Sequence, residues 1–361
     1  MERYVKLYRN IEDIKDIWDS LYSGGNDMMP FQSYEWNKNM AECYKSNTYT
    51  FLNYSVRYIV CFKDTQPLII APVALPRNIV KAGNIEILGQ YMGLGGLNFV
   101  YGNEASDEDF RFAIEYITGI YCNQMYICEL NSSTKLSRFL AGYEHAKKTG
   151  EEKRYRFAVP SSSEENRGLL NSKAKEIAEK IKSGEIRANS EIYHGYKFGK
   201  TELENIRILR EKSSGEPESK APKAVKNGLK AVRKIQKKVF QNKDPLVNFS
   251  GSDNFIYVKY MVDGNFAGFL YAVTDLKGRC TVGYVDSDPD YRDYRPESMM
   301  IYELTESGIE NENLTDVEFS MQCGRIDTGE AENVEKFFTD EYIIEAVIPQ
   351  IDEAEDEEKA E

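Results

Sequence analysis

The chain has 361 residues, 41% of them hydrophobic and 12% aromatic, enough for substantial buried cores and long enough that two domains are the default expectation. Its formal charge of -13 includes an end segment, Ile351 to Glu361, with seven carboxylates against one lysine, which is expected to be an unfolded solubilising tail. Only two histidines occur, and none of the six cysteines forms a Cys-x-x-Cys pair, so a zinc site or nucleophile-histidine machinery has little to be built from and no metal is expected.

The opening stretch Met1 to Tyr22 mixes charged and apolar residues and lacks the apolar centre of a signal peptide; no later run reaches a membrane-spanning length. A cytoplasmic location and no transmembrane segment are expected. A first helix should start at Asn10 and bury Ile14, Ile17, Trp18 and Leu21. Pro30-Phe31-Gln32-Ser33 leads into a second, with Ser33 as cap and Trp36, Met40 and Cys43 on one side.

Strands 58–63 and 67–75 read as a hairpin turning at Asp64-Thr65, and a short strand at 84–88 precedes the glycine-rich run from Gly89 to Gly96. That run lacks the spacing of a dinucleotide fingerprint or phosphate loop, so Tyr91 within it is either a pocket residue or simple packing. A helix capped by Ser106 carries Phe110, Ala113, Ile117 and Ile120 on one face, with a strand at 125–130 beyond it. A helix near 164–181 is expected to bury Leu170, Ala174, Ile177 and Ile181.

The segment 213–222 reads as a loop, and Val225, Leu229, Val232, Ile235 and Val239 mark an amphipathic helix behind it. From Lys220 to Lys243 there are nine basic residues and no carboxylate. Three readings stay open: contact with nucleic acid phosphates, contact with the phosphates of a cofactor or substrate, or a solvated helix that offsets acidic neighbours. Hairpin strands at 254–262 and 266–273 then flank Asp263-Gly264, followed by a strand at 279–285, a helix at 296–308 and a strand at 316–321. Hairpin, strand, loop, helix and strand thus occur twice.

At the second strand-to-helix passage, Tyr284 to Met300, Pro296 suits a first helical turn whose unpaired N–H groups could receive a pyrophosphate; helix capping explains the same residues. Glu297 is the objection, because its carboxylate would repel that anion unless it points away.

Asp263-Gly264, Gly268 to Ala272, Tyr284 to Tyr291, Arg295 to Met300 and Glu318-Phe319 together resemble the carboxy-terminal module of GNAT-like proteins grouped with cellulose-biosynthesis CelD proteins, which are similar in turn to Fem-type aminoacyltransferases. Pro30-Phe31-Gln32-Ser33 with Trp36 is similar to the P-F-Q-S-x-x-W start of the same group, and Leu88-Gly89 with Tyr91 to its next glycine-rich pattern. The resemblance implies an α/β (α+β) protein of tandem GNAT-like modules, with mixed, mainly antiparallel sheets flanked by helices. The modules would occupy residues 1–190 and 191–347, the latter including the basic helix 220–243, before the acidic tail 348–361.

It further implies transfer of an acyl group from acetyl-CoA or another acyl-CoA to an amine or hydroxyl on a carbohydrate, cell-envelope precursor or small amine. By the same resemblance Arg295, Pro296, Ser298 and Met299 would hold the cofactor, with Glu318 as general base and Tyr284 beside the cleft. Glu318 is otherwise a strand residue on a wet face. Gln32, Trp36, Tyr91 and Lys336 would contact substrate. The chain departs from the family at the Q/R-x-x-G-x-G/A signature, which is absent, and at Glu297, which stands where a glycine is usual. The alternatives are a Fem-type transferase using aminoacyl-tRNA, which would employ the basic helix, and a noncatalytic GNAT-like binding or scaffold protein.

Overall fold

The computed structural model describes residues 2–46, 48–77, 84–90, 98–121, 123–168, 170–213, 254–275, 277–311, 314–319 and 335–347. Tyr91, the basic stretch 220–243 and the acidic tail therefore lie outside the described residues.

The chain opens with strand β1 (Arg3–Tyr8), followed by a 3-10 turn (Ile11–Ile14) and helix α1 (Lys15–Gly24). Asn10 precedes that turn, but its side chain makes no capping hydrogen bond. Trp18 is completely buried and donates its indole N–H to the Gln32 carbonyl at 2.9 Å, tying α1 to the Pro30–Gln32 turn. Helix α2 (Tyr34–Ser46) starts where the Ser33 hydroxyl accepts from the Trp36 amide at 3.3 Å, and buries Trp36, Met40 and Cys43.

After α3 (Thr48–Asn53), strands β2 (Tyr54–Lys63) and β3 (Gln66–Pro76) form the expected hairpin, with Asp64 in the left-handed region. Strands β4 (Ile85–Ile87) and β5 (Val100–Tyr101), helix α4 (Asp107–Tyr121), strand β6 (Met125–Asn131), helix α5 (Lys135–Gly142) and strand β7 (Ala146–Ala158) complete this half. At the α4 start the cap is reversed from expectation: the Asp109 carboxylate accepts from both the Ser106 amide and hydroxyl. Phe110, Ala113 and Ile117 are buried, whereas Ile120 is exposed.

The helix expected near 164–181 is two, α6 (Ser163–Gly168) and α7 (Ser172–Lys182), the second capped by Asn171. The chain continues through β8 (Ala188–His194) and α8 (Lys200–Ser213) to β9 (Phe255–Val262), β10 (Asn265–Thr274) and β11 (Arg279–Ser287). A 3-10 turn (Pro289–Tyr294) and helix α9 (Pro296–Asn311) lead to β12 (Asp316–Phe319), and β13 (Glu335–Ile344) closes the sheet.

The thirteen strands among the described residues belong to one sheet, in the order β1-β2-β3-β4-β6-β13-β7-β12-β11-β10-β9-β8, with β5 paired to β3. Most pairings are antiparallel, and two are parallel: β4 with β6, linked through α4, and β11 with β12, linked through α9. Such a pair needs a crossover helix, so the same local architecture is built twice. Late in the sequence, β13 inserts between β6 and β7, while β7 also pairs with β12.

One hydrophobic core runs through both halves: Trp18, Trp36, Ile69 and Phe110 belong to the same cluster as Phe255, Tyr257, Phe269 and Tyr271. A second core, with Val282, Met299, Met300, Leu304, Val317 and Phe319, fills the space between α9 and the opposite face of the second half's strands.

Candidate functional site

Strand alternation assigns the residues around β11 and β12 to two faces. Cys280 and Val282 on β11, and Val317 and Phe319 on β12, enter the core under α9, so Thr281 and Glu318 point to the other face. Arg156 of β7 is the register partner of Glu318 on the far side. The parallel register of β11 with β12 ends at Val282–Phe319, while β11 continues to Ser287 paired to β10 alone. Beyond Val282 this edge of β11 has no strand partner among the described residues, which on β12 run to Phe319.

A bulge lies in β11 just past Val282. Tyr271 pairs with Tyr284 and Ala272 with Val282, so Gly283 is the extra residue. Only glycine fits there, because a Cβ would come within 2.3 Å of the Tyr271 ring. The bulge keeps Tyr284 on the Glu318 face, where its ring stacks on Tyr271 and Phe269 and its hydroxyl donates to Asp286 at 3.1 Å. The Pro30–Gln32 turn and α8 pack against β10 and β11 over this region. The first half therefore packs directly on these strands of the second.

Glu318 is buried rather than set on a wet face, and its Oε2 has no hydrogen-bond partner among the described residues. Removal from water pushes its pKa up to about 7, against the opposing pull of Arg156 and Arg279; Asp316 adds to the rise. Those arginines are otherwise engaged. Arg156 holds Glu335 through two hydrogen bonds, and Arg279 holds Asp275 at 2.7 Å, which also accepts from the Tyr22 hydroxyl at 2.9 Å. A carboxyl group poised near neutrality can take a proton from an amine or hydroxyl brought into reach.

The remaining expected residues fall in different places. Gln32 is buried, and its side-chain carbonyl accepts from the Met29 amide at 2.8 Å, bracing the turn that covers β11. Trp36 packs against Phe31 with ring centroids 4.5 Å apart, inside the core. Lys336 is exposed opposite Tyr155, one position along from the Glu335–Arg156 pair, so it projects from the other face of the sheet than Glu318. Met299 is buried in the second core and Pro296 packs near Gly268.

Arg295 adopts a left-handed conformation that ends the 3-10 turn and releases α9, whose first turn holds Pro296, Glu297 and Ser298. The charge at this helix start is the reverse of what a diphosphate requires. Between Asp286 and Glu297 there are five carboxylates against two arginines. Glu297 does not point clear of the junction: it accepts a hydrogen bond from the Ser287 hydroxyl at the end of β11. Asp288 caps the 3-10 turn and binds Lys212 of α8 at 2.5 Å. Pro296 offers no N–H, and the carboxylates around it oppose an anion at this helix start.

Sequence reasoning missed Thr281, Arg156 and Arg279, the groups that frame Glu318. The alternation in Arg279-Cys280-Thr281-Val282 carried the signal for two of them, whereas Arg156 lies in a strand too highly charged to be read as one. Among the described residues no cluster of three or more metal-ligating side chains occurs, and no helix is long and apolar enough to cross a membrane.

The fold is similar along nearly its whole length to solved structures. A tandem GNAT protein from the clavulanic acid biosynthesis pathway matches with a TM-score of 0.52 at 10% identity, over 96% of this chain and 99% of that one. FemX matches with a TM-score of 0.52 at 10% identity, over 94% and 97%. The architecture is thus a mixed α/β fold of the tandem GNAT type. No protein-family model matches the sequence, and no curated protein matches it.

Proposed function

We propose that this protein is an acyl- or aminoacyl-transferase of the GNAT fold that deprotonates an amine or hydroxyl acceptor with Glu318, in the cleft between the Pro30–Gln32 turn and strands β11 and β12. The observation that carries the proposal is the buried Glu318 carboxyl, its pKa near 7 and its Oε2 without a hydrogen-bond partner among the described residues, beside Thr281 on the neighbouring parallel strand. In this reading Glu318 takes the acceptor's proton as the acceptor attacks the donor carbonyl; the new acyl–N or acyl–O bond replaces the donor's thioester or ester bond, the leaving thiolate or alkoxide takes up the proton, and no covalent enzyme intermediate forms. The Tyr284 ring, fixed by stacking, shapes the cleft wall. Gln32 acts by positioning the covering turn.

The donor is the less constrained half of the reaction. Both named neighbours are compatible with a transferase, and the sequence motifs point toward the CelD and Fem-type groups; acceptors consistent with those groups are a carbohydrate, a cell-envelope precursor or a small amine. The acidic start of α9 weighs against coenzyme A held there through Arg295, Pro296, Ser298 and Met299; an aminoacyl-tRNA, itself a polyanion, would have to bind elsewhere. The same feature favours one second reading, a GNAT-fold binding protein without a donor.

The test is a donor panel of acetyl-CoA, longer acyl-CoAs and aminoacyl-tRNA, scored by saturable rise in melting temperature and by transfer of labelled acyl group to amine acceptors. Transfer abolished in Glu318→Gln, with donor binding retained, is the expected result. A variant as active as the parent removes Glu318 from the mechanism. Absence of binding by every donor leaves the binding-protein reading in possession.

A further inference from the structure

We infer that the first half carries a separate binding site for a phosphate-bearing ligand, built on Arg9, Arg57 and Arg77. Strand β1 covers β2 only from Tyr58 to Lys63, so Tyr54 to Arg57 form an open edge. A cavity of about 280 Å³ lies along it, closed by α2 on one side and by the end of β3 on the other. Its wall contains five cations, Arg9, Lys38, Lys45, Arg57 and Arg77, and two carboxylates, Glu12 and Glu42.

The carboxylates are already committed. Glu12 pairs with Lys38 at 3.6 Å and Glu42 with Lys45 at 2.7 Å. None of the three arginines has a carboxylate partner among the described residues. Burial, with the like charges of Arg9 and Arg77, holds the Arg57 pKa below the usual arginine range. Like charges gathered at a partly buried wall without a counter-charge are costly, and an anion bound among them offsets that cost.

The donors are oriented but not exhausted. Arg57 donates one Nη1 hydrogen bond to the Val56 carbonyl at 2.7 Å, and Arg77 gives its Nε to the Tyr54 carbonyl at 2.6 Å, which leaves the Arg77 terminal nitrogens as a fork. Guanidinium forks match phosphate oxygens in pairs. Arg77 also lies over the Phe51 ring, with its guanidinium carbon 5.5 Å from the centroid. Phe51 and its neighbour Leu52 are 51% and 63% exposed, an unusual pair of large apolar side chains on the surface beside a basic cavity.

The cavity sits at the small end of the range for small-molecule sites, which suits a phosphate or diphosphate head with its apolar remainder resting on Phe51 and Leu52. The site is distinct from the Glu318 cleft: β2 and β12 are six strand positions apart in the sheet, roughly 29 Å at the usual interstrand spacing. Its ligand is thus bound independently of the proposed chemistry. The head group could belong to a soluble phosphorylated metabolite or to a phospholipid, and the two sources are separable.

The experiment is calorimetric titration of the full chain with inorganic pyrophosphate, beside co-sedimentation with phosphatidylcholine vesicles with and without phosphatidylglycerol. Saturable pyrophosphate binding, weakened at least tenfold in Arg57→Gln and in Arg9→Gln and unchanged in the control Arg167→Gln, is the expected outcome. Arg9 is exposed, so its variant keeps the test decisive if replacing Arg57 impairs folding. Vesicle binding that requires phosphatidylglycerol and is competed by pyrophosphate identifies a lipid source; pyrophosphate binding without vesicle binding identifies a soluble one. The inference is overturned by absence of saturable binding, or by equal binding in both arginine variants and the parent.

Discussion

Glu318 and Thr281 are register partners across the parallel strands β12 and β11, and each holds a buried oxygen, Oε2 and Oγ1, without a hydrogen-bond partner among the described residues. Two polar atoms left unpaired on neighbouring strands are costly to the fold, and groups kept at such a cost mark a site.

That cost has a definite pH dependence. Below about pH 4.5 Glu318 is protonated in both folded and unfolded chains and contributes nothing. As pH rises toward 7 the unfolded chain ionises first while the folded chain holds its proton, so this residue makes the fold progressively less stable; above 7 the penalty is constant. A shift from 4.5 to about 7 corresponds to roughly 3 kcal/mol. Glu318→Gln should therefore be more stable than the parent at pH 8 by up to about 3 kcal/mol, with the gain shrinking toward pH 5, as read from urea denaturation. A variant less stable than the parent at pH 8 contradicts the burial argument. In the parent, transfer activity should rise through pH 7 as the base ionises.

Gly283→Ala tests the bulge. The added methyl meets the Tyr271 ring at 2.3 Å, and that ring is stacked between Phe255 and Tyr284, so it has nowhere close to move. Loss of about 1–3 kcal/mol is expected from overpacking, accompanied by a change in near-ultraviolet circular dichroism from the displaced tyrosines. An unchanged melting temperature would show that the stack yields freely.

Arg154, partly buried, pairs with the buried Glu129 at 3.0 Å in the first half and with the exposed Glu152 at 2.6 Å. Glu129 also has positive φ inside β6, a conformation that needs support from its surroundings. Arg154→Met removes the cation and leaves the carboxylate buried, which should cost about 3–5 kcal/mol; replacing both by methionine should recover much of it. Denaturation midpoints of the two variants compare these directly.

How much of this could be read in advance differs by element. The hairpins, α2, α4, α9 and the repeated order of elements were legible, because apolar residues recur there at helix or strand period and Asp64-Thr65 and Asp263-Gly264 punctuate them. Strand β7 was not: Lys147 to Arg156 is mostly charged, since the strand is held by neighbours on both edges and has little apolar face to advertise. At the site, the sequence marked Glu318 and Tyr284 but could not show that Glu318 is buried or that Lys336 leaves by the opposite face. Those facts depend on strand register between segments far apart in the chain. The acid-rich start of α9 was visible as Glu297, yet the Ser287 contact that holds its carboxylate at the junction exists only in three dimensions.

Strand β13 gives the most direct test of how the two halves depend on each other. It pairs with β6 from Thr339 to Ile344 and with β7 from Glu335 to Ile344, so both of its edges are occupied by strands from the first half. It also places Tyr342 and Ile344 in the large core and sets Asp340 within 3.0 Å of the Ser137 hydroxyl. A chain ending at residue 334 would expose the facing edges of β6 and β7 and open the core beneath them. Such a fragment should lose its cooperative thermal transition, and a synthetic peptide of residues 335–347 added in trans should restore it in a saturable way. A truncated chain that melts like the parent, or that ignores the peptide, would show that the first half closes without its late strand.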